Sequence, residues 1–220
     1  TGFTATLPFV GVFLVITSSA ARWTREVAEP KLVQERSLSI ALILVALIVF
    51  SVGLLAIAGM QTMSKQANFE ALQRTAASQI AYGLLEDIRV NGDAINTYLG
   101  AGEIGGGARG AEPAPNCSGN AVCTAAQKAA HDLWFWEQVL DGNLEMSGNA
   151  GAGGLVLPAL CITGPAGGGA GIYTVTIAWR GTASLNSANP SNCGTAGGNF
   201  GANNEFRRIM EIPTYIDPTI

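Results

Sequence analysis

The sequence is poor in the groups from which most catalytic sites are built. Charged residues make up 13% of its 220 residues, and His131 is its single histidine. A Ser-His-Asp arrangement would depend on that residue, but the neighbouring Asp132 points elsewhere on a helix. Neither an HExxH zinc motif nor a P-loop occurs. We therefore expect His131 to be a surface or helix-packing residue, and the sequence does not predict an enzyme.

Basic stripes and metal-ligand spacings are also lacking. The net charge of −4 argues against a nucleic-acid partner, and no basic stripe with interleaved aromatics is visible. Gly105, Gly107 and Gly110 satisfy a GxGxxG pattern, but no strand precedes them and no helix obviously follows, so a dinucleotide site is not predicted. The spacing of the cysteines is poor for zinc. No cofactor or metal is expected.

A long apolar run organises the chain. Residues 38–60 contain no charged residue over 23 positions. At ~1.5 Å per residue this helix would reach ~34 Å, enough to cross a hydrocarbon core of ~30 Å. Gly53 and Gly59 are its weak points, because glycine lowers helix stability by ~1 kcal/mol relative to alanine. They permit local unwinding or close helix approach, or they reflect the common use of small residues in membrane helices.

The segment before this run, residues 1–37, has an apolar part and a charged part. For residues 1–21 three interpretations stay open: a first transmembrane helix, a membrane-surface segment, or an extension that is not native. Residues 22–37 contain four basic residues, which predict that this side of the membrane is cytoplasmic and that the body faces outwards. The basic residues are Arg22, Arg25, Lys31 and Arg36.

Residues 61–91 continue the helical pattern but have two faces. Apolar residues spaced three to four apart predict a stem helix with one face on a packed domain. They are Phe69, Leu72, Ala76, Ala77, Ile80, Leu84, Leu85 and Ile88. Asn91-Gly92 predicts the end of this helix.

Residues 92–220 are expected to form a globular domain with long glycine-rich loops. A second helix is predicted from the N-cap Thr124 to about Leu140. Its Trp134 and Trp136 are expected to bury it against the body, or alternatively to form a binding platform. Residues 172–180 alternate as a strand does, and residues 205–213 are predicted as its antiparallel partner. One face of this sheet would lie on the stem.

The four cysteines all follow the apolar run. An even set on one side of a membrane favours disulfides in an oxidising compartment such as a periplasm. Local pairing favours Cys117–Cys123 and Cys161–Cys193, one of three possible connectivities. The second bridge would close a loop of about 32 residues, which is worth roughly 3–4 kcal/mol in the chain-entropy model.

Several segments resemble type IV pilins. Residues 34–61 (QERSLSIALILVALIVFSVGLLAIAGMQ) resemble the pilin methylation segment and its continuation. The blocks ALQRTAASQIAYGLLEDIRVN, HDLWFWEQVL, YTVTIAWRG and RRIMEIPTYI resemble minor pilins of the PilV type. The resemblance implies an α+β type IV pilin fold, in which a long N-terminal helix packs on a small antiparallel sheet. The membrane-spanning half of that helix would also serve as the assembly helix.

The start of the apolar run departs from the family pattern. Ser37 stands where the family has the glycine before the peptidase cut, and Leu38 would be the first mature residue. Leu42 stands where the family has the glutamate that contacts a neighbouring subunit. Gly2-Phe3-Thr4 resembles a cleavage site, but Leu7 occupies the glutamate position there too.

The resemblance implies a minor pilin that primes a type IV pilus at its tip. Its partners would be other minor pilins, the major pilin, the lipid bilayer, the inner-membrane assembly machinery, a prepilin peptidase and a tip adhesin. It would be methylated and would serve adhesion and motility. Two alternatives stay open: a type II secretion minor pseudopilin, and a membrane-anchored adhesive module whose surface is formed by Trp134, Trp136 and the loop around Cys193.

Overall fold

A computed structural model describes residues 33–118, 122–148, 150–151, 153–185 and 190–219. The predictions for residues 1–32 lie outside the described residues. The chain divides into two units between Thr62 and Met63. One helix, α1 (Val33–Val90), includes residues of both units.

The predicted long helix is confirmed as a single element of 58 residues. No proline interrupts α1, and it ends at Val90, directly before Asn91-Gly92. Among the described residues it is the one helix long and apolar enough, by length and composition, to cross a membrane. Most apolar residues of α1 that belong to the first unit are exposed, with Leu42 62% and Leu55 74% accessible.

Shorter helices follow α1. A 3₁₀ turn (Gly92–Ala94) leads into α2 (Ile95–Leu99). The second predicted helix is α3 (Ala125–Asp141). Thr124 caps it in a capping box with Gln127, and Gly142 ends it with a left-handed φ of 73°.

Five strands complete the described architecture. Between α3 and the main sheet lies a small hairpin of β1 (Met146–Ser147) and β2 (Ala150–Gly151). The main sheet is antiparallel in the order β3-β4-β5, with β3 at Ala159–Thr163, β4 at Gly171–Arg180 and β5 at Arg207–Ile216. The α+β architecture and the antiparallel pairing of the last two strands are therefore confirmed.

The edges of two strands differ from the sequence pattern. The apolar signal begins at Leu155, yet β3 begins at Ala159, because Leu157 has a φ of 49° and Pro158 lacks an N–H for the ladder. β5 continues beyond Pro213 to Ile216, since Thr214 to Ile216 keep their register opposite β4.

The main core of residues 63–220 lies between α1, α3 and one face of the sheet. It contains Ile80, Leu84 and Ile88 of α1 together with Val175 and Ile177 of β4. The predicted contact of the stem with one face of the sheet is thus confirmed. The predicted stripe is wrong at its start, because Phe69 and Leu72 are exposed while Gln73 is buried. The first residue of α1 that the body buries is Gln73, so helical periodicity overestimates the length of the buried apolar stripe.

The opposite face of the sheet has its own small core. Ala159, Ala178, Cys193 and Phe200 pack there as a second cluster of buried residues. This explains why Thr176 and Ala178 are buried although they alternate with the main-core residues of β4. The loop that follows Cys193 therefore acts as a cover for part of this outer face.

Candidate assembly surface

The first unit of α1 satisfies its polar groups internally. The hydroxyls of Ser51 and Thr62 donate to the carbonyls of Ile48 and Gly59, each over 2.8 Å. Helical backbone hydrogen bonds are also internal, so the uncharged residues 40–60, whose one polar side chain is Ser51, leave no polar group that needs water. It is suited both to lipid and to the apolar surface of another helix.

The predicted assembly residues all lie in this continuous helix. Leu42 is exposed, and apart from the adjacent residues and the local helix backbone no atom lies within 4 Å of the space that a Cβ would take on Gly53 or Gly59. These glycines leave room for the close approach of a second helix. Ser37 and Leu38, the predicted processing site, also lie in α1. Processing there stays a prediction.

The second part of α1 carries polar side chains that anchor it to the body. The buried Gln73 donates to the Gly154 carbonyl (3.1 Å) and accepts from the Val156 N–H (3.0 Å). Its side-chain amide therefore pairs with these backbone groups as the backbone of a neighbouring strand would. Arg89 donates to the Thr214 hydroxyl over 3.0 Å. The sequence pattern predicts neither anchor; the one signal for Gln73 is a glutamine that lies among the apolar positions of a helical stripe.

Glu70 forms a third anchor. It accepts from the N–H and the hydroxyl of Thr182 at 2.8 Å and pairs with Arg208, whose Nε lies 3.1 Å away. Burial alone would raise the pKa of Glu70, but the hydrogen bonds from Thr182 and Arg208 outweigh it, so the pKa is lowered. The ionised carboxylate therefore contributes stability to the contact between α1 and β5.

The two tryptophans of α3 have separate partners within the chain. Trp136 donates to Asp87 of α1 over 2.7 Å, and its ring fills the space beside Gly83. Burial raises the pKa of Asp87, although the indole hydrogen bond acts in the opposite direction. Trp134 donates to the Gly110 carbonyl over 3.2 Å. Packing of this helix against the body is thus confirmed, while an interaction surface formed by the two indoles stays a prediction.

His131 is a buried packing residue. Its ring lies 5.7 Å from that of Trp134, and its Nε2 lies 3.4 Å from Glu112 Oε1. The expected helix-packing role is therefore confirmed. Asp132, the next residue, accepts from Tyr98 Oη over 2.7 Å and pairs with Lys128. Burial raises the pKa of Tyr98, so the phenol remains a donor.

The GxGxxG loop binds carboxylates of its own chain. The N–H groups of Gly105 and Arg109 donate to Glu137 over 3.1 and 2.8 Å. Those of Gly106 and Gly107 donate to Asp141, each over 2.9 Å. In other glycine-rich loops such N–H groups bind phosphate, but here they donate to carboxylates of α3. The signal in the sequence for this contact is the pair Glu137 and Asp141, two acidic residues four positions apart on one helix.

The cysteines form the two locally favoured disulfides, Cys117–Cys123 and Cys161–Cys193. Glu103, Cys161 and Cys193 are the one group within metal-ligand distances among the described residues. Because both sulfurs are joined in a disulfide, neither is available as a thiolate ligand. This group is therefore structural: Glu103 accepts from the Gly194 N–H over 2.9 Å and fixes the covering loop.

Part of this chain matches a known protein family. Residues 59–134 match the family model Type IV pilin Tt1218. The match covers about a third of the chain and runs from the last residues of the apolar segment to the middle of α3. Neither a curated protein nor a solved structure matches the chain. Over the matched residues the chain is similar to that pilin family, and the observed fold, a long N-terminal helix with a three-stranded antiparallel sheet, is consistent with a type IV pilin fold.

Proposed function

We propose that this chain is a minor pilin that takes part in type IV pilus assembly. One observation carries the proposal: α1 is one helix whose first part is uncharged and exposed and whose second part is anchored in a globular domain. Such a helix can exchange lipid contacts for helix contacts without leaving backbone groups unpaired. The resemblance of several segments to PilV-type minor pilins supports the minor rather than the major role.

The proposal includes a place and a set of partners. The basic residues before the apolar run favour a cytoplasmic N-terminal side, and two disulfides favour a periplasmic body. In the inner membrane the chain would join other minor pilins, prime the pilus at its tip and contact the major pilin, the assembly machinery and a tip adhesin. Prepilin peptidase would cut between Ser37 and Leu38 despite the missing glycine.

Deletion and recovery experiments test this function. Removing the gene should reduce surface pili, and the tagged full chain should co-purify with other minor pilins. N-terminal sequencing of the mature protein should give Leu38. Normal piliation after deletion would contradict the proposal. Co-purification with secretion-system pseudopilins alone would favour the pseudopilin alternative.

An adhesive module is the second candidate, and a cleft on the outer face of the sheet favours it. The cleft has a volume of about 620 Å³ and lies beside the Cys161–Cys193 disulfide. Thr163, Thr174, Asn192 and Glu211 line it with hydroxyl, amide and carboxylate groups. Loss of surface binding with unchanged piliation in a deletion strain would support this candidate over pilus assembly.

A further inference from the structure

The covering loop leaves one end of the sheet's outer face open. Phe200 packs with Ala178 of β4 in the second core. Residues two apart on a strand point to the same face, and the cleft beside the Cys161–Cys193 disulfide begins two positions from Ala178, at Thr176. We call the part of the sheet from there onwards the open face. Its residues are Thr163 of β3, Ile172, Thr174 and Thr176 of β4, and Glu211, Pro213 and Tyr215 of β5.

The middle of the open face is polar. Thr163 and Thr174 lie opposite each other on β3 and β4, and Glu211 lies opposite Thr176. Asn192 lies in the wall of the cleft. Among the described residues, neither the Glu211 carboxylate nor the Asn192 side-chain amide has a hydrogen bond or an ion pair, and both residues are exposed. These groups are therefore available to a ligand.

An exposed aromatic ring lies at the end of this polar strip. Tyr215 and Ile172 are direct cross-strand partners, and each is 64% accessible. Pro213 lies between Tyr215 and Glu211 on the same face. A tyrosine ring combines a flat apolar surface with a polar tip. The open face thus places an apolar platform beside hydroxyl, amide and carboxylate groups.

A neutral sugar has the chemistry that matches this surface. A pyranose ring presents C–H groups on its face and hydroxyl groups around its edge, so it can stack on an aromatic ring and bond to side-chain oxygens and amides. The described residues that line the cleft include no basic residue. A phosphate or an acidic sugar would therefore meet the Glu211 carboxylate without a compensating cation. Pro213 offers no N–H to a peptide strand added along β5.

We propose that the open face binds a neutral oligosaccharide between Tyr215 and Glu211. The proposal rests on the adhesive module, the second candidate function above, and gives that module a class of ligand. A strand advances ~3.3 Å per residue, so the four positions from Glu211 to Tyr215 span ~13 Å. A ligand that contacts both residues is longer than one sugar ring.

A glycan array of neutral and sialylated oligosaccharides tests the proposal. The probe is the tagged full chain in a detergent without a sugar headgroup, since a glycosidic detergent would compete for the site. The chain should bind neutral oligosaccharides and should not bind their single-ring sugars measurably at the same concentration. Binding to sialylated oligosaccharides alone, or to no neutral oligosaccharide, would overturn the proposal.

Substitutions on the open face locate the site. Tyr215→Ala should lower the affinity for the best neutral oligosaccharide by about tenfold or more, because it removes the aromatic platform. Thr174→Val keeps the branched side chain but removes its hydroxyl, and it should also weaken binding. The matched control is Tyr82→Ala, since Tyr82 is a tyrosine of α1 that is 60% accessible; it should change the affinity less than about twofold. Equal effects of Tyr215→Ala and Tyr82→Ala, with unchanged unfolding temperatures, would refute the site.

The gene deletion separates this proposal from the proposed functions. A purified chain that binds no neutral oligosaccharide refutes only the ligand, because loss of piliation or of surface binding in the deletion strain is measured independently. A purified chain that binds through Tyr215, while the deletion strain keeps normal piliation and normal surface binding, supports the site and refutes both functions.

Discussion

Removing the Cys161–Cys193 disulfide should destabilise the protein more than removing the Cys117–Cys123 disulfide. The two bridges join residues that are 32 and 6 positions apart. In the chain-entropy model, loops of these lengths give about 3.7 and about 2.2 kcal/mol at 25 °C. The difference of about 1.5 kcal/mol corresponds to about 3–6 °C in unfolding temperature for a domain of this size.

The structure indicates that the difference will be at least this large. Cys193 belongs to the second core with Phe200, and Gly194 is fixed by Glu103. Freeing the covering loop would therefore also expose apolar surface. In contrast, Cys123 is part-exposed, and Val122 beside it is 98% accessible.

The assay compares C161S/C193S and C117S/C123S double variants of the full chain in detergent, by thermal and urea unfolding. Peptide mapping without reduction should first show both bridges in the wild type and one in each variant. Equal losses of stability, or a larger loss in C117S/C123S, would refute the loop-entropy reasoning. Four free thiols in the wild type would contradict the oxidising compartment.

Three further predictions test separate contacts of α1. Folding lowers the pKa of Glu70, so the ionised carboxylate stabilises the fold above its ordinary pKa of 4.5, and this stabilisation is lost as the pH falls below that value. When the pH is lowered through this region, the free energy of urea unfolding should therefore fall less for E70Q than for the wild type. Leu84→Ala truncates a fully buried side chain and should lower the free energy of unfolding by about 2–5 kcal/mol. Leu72→Ala changes an exposed side chain and should change that free energy by no more than about 0.5 kcal/mol. A larger loss for Leu72→Ala would contradict the observation that the body buries Leu84 and leaves Leu72 exposed. Gly83→Ala puts a Cβ 2.3 Å from Cη2 of Trp136. It should lower the free energy of unfolding by about 1–3 kcal/mol and shift the tryptophan fluorescence. Unchanged fluorescence would contradict the packing of Trp136 on Gly83.

Local signals in the sequence determined the elements of this protein. The uncharged run and the helical stripe predicted α1, Asn91-Gly92 predicted its end, and Thr124 predicted the start of α3. Each signal acts within a few residues, through backbone hydrogen bonding or the period of a helix, so the sequence alone is enough to locate it. The alternation of residues 172–180 predicted β4 in the same way.

Contacts between distant residues were decided only by the tertiary structure. Phe69 and Leu72 fit the helical stripe, but whether a body covers them depends on where α3 and the sheet end. The glycine-rich loop has the pattern of a phosphate site, yet carboxylates of Glu137 and Asp141 about 30 residues away occupy its N–H groups. Periodicity states which residues share a face; it does not state which chain segment, or which second subunit, lies against that face.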